Sequence, residues 1–289
     1  MMMQLLVPTI GVPFLLGVLI SIITFGLPAR RGFILALLIP LAAVIIHFML
    51  EGVPSFPPIA AKQKLPIMLI VVAATFAILS LLRRPCSTTF GTILAATALA
   101  LSGWLLGKHV LLANPAKTVV VLAVFLIVTV AVGPAVAVRP AARGGEPSAL
   151  ATALLGLSIA AALTAAFGAF VGMAQINGAL AALNGGWLLI GYIRYLIGDD
   201  DALALRGFEG LAFAITVSMH LIMTSLFAPK AAPSAIIFTA LPLAVAAFIL
   251  VAGVSFQLLP RFLRPVAAGA ATAVPSVVAI AISAALFQG

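Results

Sequence analysis

The sequence predicts an all-α, polytopic integral membrane protein with about ten transmembrane helices and short loops, residues 1–289 forming one transmembrane helical domain. Three observations predict it. First, 64% of the 289 residues are apolar and 7% charged, against roughly 45–50% and roughly 25% in soluble chains. Second, mean hydropathy is +1.33, too high for the polar side chains to cover a folded surface, so the solvent is largely lipid. Third, the charges separate long uncharged runs, and those runs are continuously apolar instead of alternating as barrel strands do. The same figures exclude a disordered chain, and the single Cys86 excludes an intramolecular disulfide.

A helix crossing about 30 Å of hydrocarbon needs about 20 apolar residues. Ten runs qualify: 5–27, 32–50, 65–82, 88–107, 118–138, 149–172, 175–197, 210–228, 235–258 and 266–287. The first has no Lys or Arg from Met1 to Leu27 and exceeds a signal-peptide core in length, so it is read as a retained helix. Basic residues bound the next four: Arg30 and Arg31, Lys62 and Lys64, Arg83 and Arg84, Lys108, Lys117 and Arg139. The sixth and seventh share an uncharged stretch, Ala149 to Ile193. As one helix it would be about 68 Å long, so the chain must reverse inside it. Gln175-Ile176-Asn177-Gly178 and Asn184-Gly185-Gly186 are the two candidate turns. The seventh run is therefore either a full crossing or a re-entrant hairpin. The last three runs follow Asp199-Asp200-Asp201, Lys230 and Arg264.

Positive charge decides between these topologies. With ten crossings the odd-numbered loops carry ten Arg (30, 31, 83, 84, 139, 143, 194, 206, 261, 264) and the even ones five Lys (62, 64, 108, 117, 230). A re-entrant seventh segment makes the split seven against eight, removing the bias that orients membrane proteins. Ten crossings are expected, with odd loops cytoplasmic and both termini extracytoplasmic, in a bacterial inner (plasma) membrane. The net charge of +9 is thus read as topogenic, with no nucleic-acid partner.

Polar side chains inside a span are costly, so they mark candidate sites. Six residues form the candidate transport site: His47 and Glu51 at the end of the second helix, Gln175, Asn177 and Asn184 in the seventh, and His220 in the eighth. His47 and Glu51 are four apart and share a helix face. The two histidines fall about 5 and about 12 Å from the same membrane surface. A His with a carboxylate suits proton or cation relay. Two imidazoles on facing helices also suit a metal or haem b, although no third ligand is evident and the depths differ; no cofactor is predicted. A break at Asn184-Gly185-Gly186 would free backbone groups for a solute near the midplane, whereas small residues there equally allow close helix packing.

Other polar features read as structural. The three aspartates cap the eighth helix and offset Arg194 and Arg206. His109 follows Lys108 in a loop. Trp104, Trp187, Tyr192 and Tyr195 are candidate interfacial anchors. Arg83 and Arg84 would lower the pKa of Cys86. No phosphate loop, nucleophile elbow or metal-spaced Cys or His pattern occurs. The reading favours a small-solute or ion permease over an enzyme, with the lipid bilayer and a solute or proton as partners. The alternative is a non-transporting subunit that docks a membrane protein or a second copy.

Overall fold

The computed structural model describes residues 7–82, 86–138 and 145–287. Among them are ten helices long and apolar enough to cross a membrane, and no strand. After a π-helical turn at Val7–Gly11 come α1 (Val12–Gly26), α2 (Arg31–Glu51), α3 (Ala61–Leu81), α4 (Thr88–Ala113) and α5 (Pro115–Ala137). The second half is α6 (Ala149–Phe167), α7 (Val171–Leu196), α8 (Gly207–Phe227), α9 (Pro233–Val251) and α10 (Arg264–Phe287). The expected loop arginines Arg83, Arg84, Arg139 and Arg143 lie outside the described residues.

Local chemistry explains several helix starts. Ser87 accepts the Phe90 N–H at the head of α4, and Asn114 accepts the Lys117 N–H just before Pro115 opens α5. Gln63 turns back to accept the N–H groups of Ile59 and Ala60. Pro40, Pro134, Pro242 and Pro275 lie within helices instead of ending them. Neighbouring helices at membrane depth satisfy or shield the backbone groups that proline frees. α4 bends at Gly107 and continues, so Lys108 and His109 are helical and not in the expected loop. A side chain on Gly107 would collide with Leu226 of α8, 2.5 Å away.

The bundle is organised around α8. Nineteen of its residues, Phe208 to Leu226, are buried, and it packs against α2, α3, α4, α5, α6, α7 and α9. Outer helices present apolar residues on both faces. On α5, Val120, Val124 and Val128 are buried, whereas Val119, Leu122, Leu126 and Val130 are 58–65% exposed, at helical spacing. That outward stripe has lipid as its natural solvent.

The sixth and seventh segments reverse at neither expected turn. The turn is Gly168-Ala169-Phe170, where Ala169 has φ 60° and the Phe170 N–H reaches the Ala165 carbonyl at 2.8 Å. This is the Schellman ending, with alanine holding the left-handed position that glycine usually takes. Gly168, the residue before it, is needed for contact: a Cβ there would meet Ala231 and Thr164 at 2.9 Å.

α7 then runs unbroken through both Asn-Gly sequences. A Cβ on Gly186 would fall 2.1 Å from the Phe14 carbonyl oxygen, and one on Gly17 would fall 2.0 Å from that of Leu183. The glycines bring α1 and α7 into backbone contact, and the expected midplane break is absent from this described helix. α7 is therefore a full crossing and not a re-entrant hairpin. Its first turn meets Glu51 at the end of α2, while the loop after it meets Arg31 at the start of α2. The described residues of the odd loops gather at one end of the bundle and those of the even loops at the other.

Candidate functional site

The polar groups of α8 form a ladder along one face. Thr216 donates to the Ala212 carbonyl, His220 Nδ1 lies 2.7 Å from the Thr216 carbonyl oxygen, and Thr224 donates to the His220 carbonyl. Spacing of four residues lets each side chain bond the carbonyl one turn back. From α7, Asn177 Nδ2 donates to Thr224 Oγ1 at 3.2 Å. A carbonyl only accepts, so His220 Nδ1 carries the proton. In the neutral ring Nε2 is then a bare lone pair, and this buried atom has no partner among the described residues.

His47 adds the second imidazole. It is 2% exposed, its Nδ1 is also without a partner among the described residues, and it stands within electrostatic reach of His220. Glu51 and Lys62 are its charged neighbours. The helix ends place His47 about 6 Å and His220 about 10 Å from the even-loop surface, closer in depth than expected.

Of the six predicted residues, the structure joins His47, His220 and Asn177 through α2, α8 and α7. Glu51 stands at the even-loop end of this group, paired with Lys62 at 2.8 Å and held against Gly172 in the first turn of α7. A carboxylate there also complements the positive helix end. Asn184 belongs elsewhere: its amide donates to the Ala151 carbonyl of α6. Gln175 is partly exposed and makes no described side-chain hydrogen bond.

Several expectations for the odd-loop end change. Asp199 pairs with Arg194 at 3.5 Å, Asp200 with Arg261 at 2.7 Å and Asp201 with Arg206. The expected offset of Arg194 and Arg206 is there, but none of the three caps α8; Glu209 accepts the Arg206 N–H instead. Tyr195 is 5% exposed and Trp187 1%, so neither is an interfacial anchor. The Cys86 thiol is not lowered: burial pushes its pKa up to about 11.

Sequence reasoning missed a polar cavity at this end. It has a volume of about 240 Å³, and its walls include Glu146, Tyr195, Asp200, Arg206, Gln257 and Arg264. The residues come from four separate stretches of chain, so no local motif announced it. The other described cavities, one of them between α3 and α4, are mostly apolar, and none is lined by His47, Asn177, Asn184 or His220.

Fold and charge distribution together define the class: an all-α, multi-pass integral membrane protein. No protein-family model, no curated protein and no solved structure matches the chain.

Proposed function

We propose that this protein is a small-solute or ion permease of a bacterial inner membrane, with both termini outward and proton exchange centred on His220 and His47. One observation carries the reading. Two imidazole nitrogens without described partners, on α2 and α8, lie within electrostatic reach of each other inside the bundle. An unpaired polar atom at membrane depth costs several kcal/mol, on the order of 2–7. A proton or polar solute that enters transiently gives such atoms a partner. Asn177, tied to the same ladder through Thr224, offers a further unpartnered oxygen.

A second reading, a non-transporting subunit, is favoured by the backbone contact of α1 with α7 and by cavities that lie away from the histidines. Thiol accessibility separates the two. In a Cys86→Ser background, Asn177→Cys is exposed to a water-soluble, charged thiol reagent in reconstituted vesicles. A permease carries water to position 177 in one of its states, so labelling is expected, with a rate that depends on pH and loses that dependence with His220→Ala. Complete protection under all conditions would instead establish the packed subunit. The purified protein would carry a Soret band if the histidines held haem b, and its loss on replacing either His would assign them as ligands.

A further inference from the structure

The odd-loop cavity has walls of both charge signs, and the pairing within those walls is uneven. Asp201 and Arg206 neutralise each other, as do Asp200 and Arg261. Glu146 and Arg264 remain. Glu146 is 6% exposed, accepts from Ser148 at 3.1 Å and has no ion pair among the described residues. Arg264 spends Nε and Nη2 on the carbonyls of Leu259 and Gln257, which cancel no charge. The two feel each other electrostatically but do not meet within the 4.0 Å of an ion pair.

We propose that this cavity binds a small zwitterion, its ammonium group toward Glu146 and its carboxylate toward Arg264. A plain anion would leave Glu146 uncompensated, and a plain cation would leave Arg264 so. A dipolar molecule satisfies both walls at once. The volume of about 240 Å³, about eight water volumes at ~30 Å³ each, leaves room for a short amino acid with water beside it. Burial raises the Glu146 carboxyl above its ordinary range against the lowering influence of Ser148 and Arg264, as befits a group awaiting a cationic partner. Tyr195, Asp200, Asp201, Arg206 and Arg264 are the other titratable or charged groups in the walls, with Arg261 over the Tyr195 ring at 4.8 Å. The site stands apart from the histidine centre and is tested with no gradient, so its failure would leave the transport reading untouched.

The test is calorimetric titration of the detergent-solubilised full chain with glycine, 4-aminobutyrate and 6-aminohexanoate, and with methylammonium and acetate as single-charge probes. Saturable binding of at least one zwitterion is expected, weakened by about tenfold or more in Glu146→Gln and in Arg264→Gln, as for loss of a charged hydrogen bond. Glu146→Asp, which keeps the charge, recovers part of it and guards against a folding defect. Binding of acetate or methylammonium as tight as that of the best zwitterion would overturn the proposal. So would the absence of binding by all three zwitterions.

Discussion

His220 shows how one side chain can be fixed and left available at the same time. Its Nδ1 proton is committed to the Thr216 carbonyl, which sets the tautomer and leaves Nε2 without a described partner. His220→Ala is expected to abolish pH-dependent uptake in proteoliposomes while the helical circular dichroism persists; unchanged uptake would remove it from the mechanism. Cys86 makes the opposite case. With its pKa at about 11, the thiolate fraction at pH 8 is about two hundredfold below that of an ordinary thiol near 8.5. Its iodoacetamide labelling should be slower than that of glutathione by about that factor, and a comparable rate would contradict its burial. At Glu146 the sign runs the other way from a paired carboxylate. Its folded pKa is raised above the ordinary 4.5, so the stability it contributes when protonated is lost as pH climbs through that raised value. Glu146→Gln should flatten this part of the melting-temperature profile against pH, and a profile identical to wild type would argue against the burial.

At the scale of elements, the turn between α6 and α7 yields a paired prediction. Ala169 in the left-handed region carries strain that Ala169→Gly relieves, expected to stabilise by about 1 kcal/mol. Gly168→Ala places a methyl against Ala231 and Thr164 and should destabilise by roughly 1–3 kcal/mol. Thermal unfolding of the two variants reads both, and equal shifts of the same sign would overturn the assignment. This turn was hidden in the sequence because its left-handed residue is an alanine, whereas the Asn-Gly pairs that look like turns lie inside α7. There the asparagine amides bond Thr224 and Ala151, and Gly186 admits α1. The spans themselves were legible, since hydrocarbon thickness fixes their length. His47, Asn177 and His220 were legible as polar exceptions within apolar runs. The Glu146 cavity was not, because its walls meet only after the segment before α6, the end of α7, the loop before α8 and the chain from the α9–α10 loop to Arg264 have come together.

For the whole molecule, the central helix α8 explains the arrangement of the rest. Its residues are covered on every side, and its ends are tied by Glu209 to the Arg206 N–H at one end and by Lys117 to the Leu226 carbonyl at the other, the latter at 2.7 Å. The carboxylates Glu146, Asp199, Asp200, Asp201 and Glu209 stand at the odd-loop end with the described arginines, and Glu51 stands at the other end with Lys62. Charge pairing there holds loops to helix ends, and apolar faces elsewhere are left to lipid. The most direct test of the functional account is nitrogen solid-state NMR of imidazole-labelled protein in bilayers, with the signals lost in His220→Ala assigned to His220. The account predicts a His220 ring protonated at Nδ1, bare at Nε2 near neutral pH, and exchanging its proton with bulk deuterium oxide. A permanently protonated Nε2, bonded within the bundle and closed to exchange, would contradict it.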